Sequence, residues 1–117
     1  MLAIPSFVKD ASSLRAAAPS LVFVGVEWCK YCQQAKPLMD TVAHTLGSTV
    51  PVYFVDADAR APLAKSLGVQ SYPTIFYAAE SGLYKFEGER NVNTIVGFVC
   101  EHSHGSEAHS FCTKKSG

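Results

Sequence analysis

The β-branched apolar run Leu21-Val22-Phe23-Val24 leads within a few residues into Trp28-Cys29-Lys30-Tyr31-Cys32, and a segment of helical periodicity follows directly. A strand that feeds a helix across a pair of cysteines constrains both fold and chemistry. If the strand ends just before Cys29, its thiol sits at the N-terminus of the next helix, where unpaired backbone N–H groups and the positive end of the helix dipole stabilise a thiolate. Cys32 then falls within the first turn, close enough to close a ring with Cys29, and Lys30 adds a neighbouring positive charge. Two thiols so placed are suited to forming and breaking a disulfide. The competing readings are half of a zinc site or two incidental core cysteines.

At 117 residues the chain has the length of one domain with a real core. Its 48% hydrophobic and 17% charged content is that of an ordinary globular protein, and ten basic residues balance ten acidic ones. That balance gives no reason to expect a nucleic-acid or anionic-membrane partner. No apolar stretch approaches the ~20 residues of a membrane span. Ala16-Ala17-Ala18 resembles a leader cleavage site, but Lys9, Asp10 and Arg15 interrupt the apolar segment that would have to precede it. The expectation is a monomer without a signal peptide in a reducing, cytoplasmic setting, where a close cysteine pair is catalytic more often than structural.

Along the chain, Ile4 to Val8 reads as a short strand, followed by a short helix capped by Ser12 or Ser13 and ended at Pro19. A strand over Leu21 to Val26 precedes the cysteine pair. Ala35, Leu38, Met39, Val42 and Leu46 then recur at helical spacing up to Gly47, with Pro37 expected to kink the helix. A strand over Val50 to Asp56 and a helix over Pro62 to Leu67, closed by Gly68, come next. Thr74 to Ala79 and Leu83 to Phe86 read as an antiparallel pair turning at Ser81-Gly82. Asn91 or Asn93 caps a last helix whose stripe is Val92, Ile95, Val96 and Val99. The order β-α-β-α-β-α-β-β-α predicts an α/β fold, a mixed sheet with helices on both faces.

This order, with Trp-Cys-x-x-Cys opening the second helix and Tyr72-Pro73-Thr74 opening a later strand, resembles the thioredoxin superfamily over roughly residues 2 to 102. Tyr72-Pro73-Thr74-Ile75 followed by Tyr84-x-Phe86-x-Gly88-x-Arg90 is more similar to the catalytic domains of protein disulfide isomerases than to a bacterial thioredoxin. The resemblance implies a thioredoxin fold with a central mixed sheet of four or five strands, a domain over residues 1–102 and a polar tail over 103–117. It implies a thiol-disulfide oxidoreductase with Cys29 as exposed nucleophile, Cys32 as buried resolving thiol and Pro73 in cis beside them. Trp28 would cover the pair and pack on substrate, and Tyr72 and Pro73 would offer backbone groups to an extended peptide. Lys30 and Tyr31 fill the gap between the cysteines, so the proline-containing dipeptide of reducing thioredoxins is missing. Substrates would be protein disulfides or dithiols, with a reductase or dithiol as electron donor, and no cofactor beyond the Cys29–Cys32 disulfide itself. The alternatives are a non-catalytic interaction module on the same fold and a Cys/His zinc protein.

Two positions depart from the family. Where relatives carry a buried acid six residues before the nucleophile and a lysine on the adjacent strand, this chain has Phe23 and Phe54. Both halves of the ion pair are apolar together, which leaves no lone buried charge. Both rings are expected in the core beneath Cys32, and its deprotonation then falls to water, to Glu27 or to Arg90. Near the C-terminus, Cys100, His102, His104, His109 and Cys112 lie within thirteen residues. An inert buried Cys100, a Cys100–Cys112 bridge, and zinc binding or a resolving role are all open there.

Overall fold

A computed structural model describes residues 1–103 and Cys112. Its sheet has five strands in the order β1-β3-β2-β4-β5, formed by β1 (Leu2–Ala3), β2 (Ser20–Gly25), β3 (Val52–Asp56), β4 (Thr74–Ala79) and β5 (Gly82–Lys85). The β1–β3 and β2–β3 pairs are parallel, and the β2–β4 and β4–β5 pairs are antiparallel. Every residue of β2 and β4 is buried. Central strands covered on both faces read as continuous apolar runs instead of alternating ones, which is the pattern of Leu21–Val24 and Thr74–Ala79. The flanking helices are α1 (Ala11–Leu14), continued by a 3₁₀ turn (Arg15–Ala17), α2 (Lys30–Leu46), α3 (Ala61–Ser66) and α4 (Val92–Glu101). None of these helices is long and apolar enough to cross a membrane.

Helix α2 presents Cys32, Ala35, Met39, Val42 and Leu46 to the core and runs through Pro37 to Gly47, whose φ of 66° ends it in a conformation that favours glycine. Helix α4 packs against α2. Asn91 caps α4 by accepting the Thr94 N–H at 2.9 Å. Its buried face is Ile95, Phe98 and Val99, with Val92 and Val96 only half-buried. Phe98 was not in the expected stripe. It meets Phe86 and Tyr77 edge-on at 5.3 and 6.4 Å, tying α4 to the β4–β5 hairpin.

The N-terminal reading needs two corrections. Pairing stops at Ala3 instead of running from Ile4 to Val8, because Pro5 has no N–H to give and its carbonyl accepts the Val8 N–H at 3.1 Å, which turns the chain. The cap of α1 is Asp10, not a serine. Its carboxylate accepts the Ser13 N–H at 2.8 Å while the Ser13 hydroxyl accepts the Asp10 N–H at 3.1 Å, so Ser13 closes a capping box.

At the other end, Cys100 and Cys112 form a disulfide with their Cα atoms 5.4 Å apart. Cys100 is therefore neither an inert thiol nor a free metal ligand. His102 stacks on Tyr84 at 4.0 Å and meets Phe98 edge-on at 5.0 Å. No group of three metal-ligating side chains occurs among the described residues. His104 and His109 lie outside the described residues.

Candidate active site

Strand β2 ends at Gly25, and Val26 to Trp28 carry the chain from the sheet to α2. Cys29 is the N-cap of that helix, with extended backbone angles (φ −86°, ψ 117°). Its sulfur accepts the Cys32 N–H at 3.1 Å and lies 3.8 Å from the carbonyl oxygen of Tyr72. Both cysteines are free thiols. Cys29 is recessed, at 8% exposed, because its side chain turns back over the first N–H groups of the helix. It is still more open than Cys32, at 0%.

The two thiols are pushed in opposite directions. Burial alone would raise Cys29, but hydrogen bonds from the Cys32 thiol and from the Cys32 and Tyr31 N–H groups, with the charge of Arg90, bring it below the ordinary thiol range. Burial pushes Cys32 up to about 11, reinforced by its hydrogen bond to Cys29 and the charge there. The Val26 N–H and the charge of Lys36 oppose that rise. The pair thus holds one proton tightly and one loosely.

Two aromatic side chains stand out from the surface around the pair, Trp28 at 70% and Tyr31 at 63% exposed. The Trp28 indole N–H donates to the Asp58 carboxylate at 3.0 Å, and its ring meets Tyr72 edge-on at 6.0 Å. The Tyr72–Pro73 peptide is cis, as is Ala18–Pro19. Lys30 opens α2 at an exposed position, and the charge of Arg90 favours the Cys29 thiolate. Arg90, with Tyr31, Gln34, Leu38 and Glu89, lines a groove of about 410 Å³ beside the helix start. Glu27 is exposed, and only its backbone carbonyl is engaged, accepting the Gln33 amide at 2.7 Å.

Residues 6–101 match the family model described as Thioredoxin. The chain belongs to the thioredoxin family. Protein disulfide-isomerase erp38 of Neurospora crassa is 32% identical over 103 residues, which is 84% of this chain and 28% of that protein. Thioredoxin 1 of Synechococcus elongatus is 28% identical over 102 residues, 84% of this chain and 88% of that one. Among solved structures, the first thioredoxin domain of mouse protein disulfide-isomerase A4 superposes with a TM-score of 0.71 at 27% identity, covering 81% of this chain and 71% of that one. The chain thus spans under a third of its disulfide-isomerase relative and most of its thioredoxin relative. These relatives are thiol-disulfide oxidoreductases, and Cys29 and Cys32 have the Cys-x-x-Cys spacing of that class.

Within this thioredoxin domain the ground beneath Cys32 is aromatic. Phe23 and Phe54 are register partners on β2 and β3, with ring centroids 6.0 Å apart. Phe23 is fully buried, but Phe54 is only partly so and is not simply core. The ammonium of Lys36 lies 4.8 Å from its ring centroid. Reading the chain linearly missed Lys36 and Asp58. The available signal for Lys36 was its place four residues after Cys32, on the same helix face.

Gly25, at the end of β2, leaves the space that the Cys32 sulfur fills. A Cβ there would stand 2.9 Å from the Cys32 sulfur and 3.2 Å from a ring carbon of Phe23, neither free to retreat. Gly25→Ala should therefore cost about 1–3 kcal/mol through overpacking, read as a lower denaturation midpoint. An unchanged midpoint would mean that the sulfur does not lie against this strand.

Proposed function

We propose that the chain is a thiol-disulfide oxidoreductase acting on protein disulfides, with Cys29 as nucleophile and Cys32 as resolving thiol. The observation that carries this reading is Cys29 as the cap of α2, with the Cys32 N–H on its sulfur and the Tyr72 carbonyl beside it. The Cys29 thiolate attacks a substrate disulfide, forming a Cys29–substrate bond and releasing the first substrate sulfur as a thiolate. Cys32, having lost its proton to water, attacks the Cys29 sulfur. The Cys29–Cys32 bond forms, the second substrate sulfur leaves with the electron pair, and it takes a proton from solvent. The substrate gains two electrons and the pair loses two, which a dithiol donor or a reductase returns. Run backwards, the same steps oxidise a substrate dithiol. Direction follows the reduction potential, which spans ~150 mV, or ~7 kcal/mol, among domains of this kind.

Exposed Trp28 and Tyr31, and the backbone of Tyr72 and Pro73 next to Cys29, suit an extended polypeptide laid across the pair. The names of the relatives, protein disulfide-isomerase and thioredoxin, agree with that substrate class. Reduction of insulin by a dithiol is the test. The chain should accelerate precipitation of the freed insulin chain well above donor alone, and a rate equal to donor alone would overturn the reading.

A further inference from the structure

We propose that Lys36 is a positioning residue of the resolving step, its ammonium seated on the Phe54 ring so that its charge favours the Cys32 thiolate as that sulfur attacks Cys29. This rests on the redox reading above. Lys36 follows Cys32 by four residues on α2, one turn along the same face. It is partly buried, and its Nζ stands 4.8 Å from the centroid of the Phe54 ring. Phe54 faces Phe23 with ring centroids 6.0 Å apart, and a Cβ placed on Gly25 would meet both a Phe23 ring carbon, at 3.2 Å, and the Cys32 sulfur, at 2.9 Å. The ammonium, the two rings and the Cys32 sulfur thus lie on one face of the sheet beneath α2. A ring beneath the ammonium holds it at the wall of the site by cation–π attraction. The rings screen its field far less than water would.

The charged groups on the surrounding elements narrow the choice. Asp56 ends β3, Glu27 and Lys30 are exposed on either side of Cys29, and Arg90 on the loop before α4 acts on Cys29. Among the charges near Cys32, that of Cys29 opposes its ionisation and that of Lys36 favours it. In the mixed disulfide the Cys29 sulfur is bonded to substrate and uncharged. Its opposition disappears while Lys36 remains. The step itself is balanced as written above: the Cys32 proton goes to water, the Cys29–Cys32 bond forms, the Cys29–substrate bond breaks, and the leaving sulfur is protonated by solvent. Lys36 changes only how readily the proton leaves.

Stopped-flow reaction of the full chain with the uncharged disulfide 4,4′-dithiodipyridine separates the two events. A first burst of thiopyridone reports attack by Cys29, and a second reports its displacement by Cys32. Lys36→Met keeps the length of the stem and removes the charge. It should slow the second phase about three- to tenfold at neutral pH and move its pH midpoint upward, with the first phase within about twofold of the parent. Lys36→Arg should restore the second phase. A second phase indifferent to Lys36→Met would overturn the proposal alone, and so would an Lys36→Arg variant as slow as Lys36→Met, since packing and not charge would then matter. Absence of a first burst in the parent chain would overturn the redox reading together with it.

Discussion

Cys29→Ser should reduce dithiol-driven insulin reduction to the rate of the donor alone, whereas Cys32→Ser should halt the reaction one step later. A serine hydroxyl at the helix cap keeps the hydrogen bonds but has no accessible anion at neutral pH, so no covalent intermediate forms. With Cys29 intact and Cys32 removed, attack proceeds and the mixed disulfide has nothing to resolve it. Intact mass measurement should then show a substrate adduct on Cys32→Ser, released by excess dithiol, and none on Cys29→Ser. Alkylation of the parent chain supplies the pH arm. Cys29, held below the usual thiol range, should be labelled first, at a rate that rises and levels off at lower pH than that of an ordinary free thiol. Cys32, pushed up to about 11, should be labelled far more slowly throughout. Labelling of Cys32 ahead of Cys29 would reverse the two roles.

Phe23→Asp should bring the fold close to the edge of stability. The ring is fully buried on β2 against Phe54 and the strand beneath Cys32. Removing a buried phenyl typically costs about 3–5 kcal/mol, and a carboxylate in its place must either remain unpaired or hold a proton. The total stability of such a domain is about 5–15 kcal/mol, so the loss is a large part of it. Desolvation would raise the folded-state pKa of the new acid above the ~3.9 of an unfolded Asp. The added penalty is then absent below about pH 4, where both states hold the proton, and grows as pH rises toward the folded-state value. Denaturant titrations at pH 4 and pH 7 should show a lower midpoint than the parent at both and a wider gap at pH 7. An unchanged midpoint would mean that position 23 is not enclosed.

What the sequence made legible was what depends on short spacings. The apolar runs of β2 and β4, the spacing from Ala35 to Leu46 and the cysteines at a strand-to-helix junction fixed the sheet core, α2 and the site. Elements decided by one hydrogen-bonding group were harder to place. Pro5 shortened β1, and the Asp10 carboxylate took the capping role from two adjacent serines that compete for it. Contacts between distant segments were out of reach. Phe98 is adjacent to nothing aromatic in sequence yet joins Phe86 and Tyr77, and the stack of Lys36 on Phe54 requires knowing which strand lies under which turn of α2. The Cys100–Cys112 bridge stayed one of several readings because its pairing depends on where the chain beyond α4 returns.

Trp28 is the single tryptophan of the chain, it sits next to Cys29, and it is 70% exposed. All indole emission therefore originates beside the Cys29–Cys32 pair and none in the core. Closing or opening the Cys29–Cys32 disulfide, or seating a polypeptide against the ring, should change the intensity of a built-in optical reporter that needs no label. The same placement makes that signal a poor witness to unfolding, because the indole is already largely in water when the chain is folded. Stability of variants such as Phe23→Asp is better followed by far-ultraviolet circular dichroism, leaving fluorescence to time the chemistry.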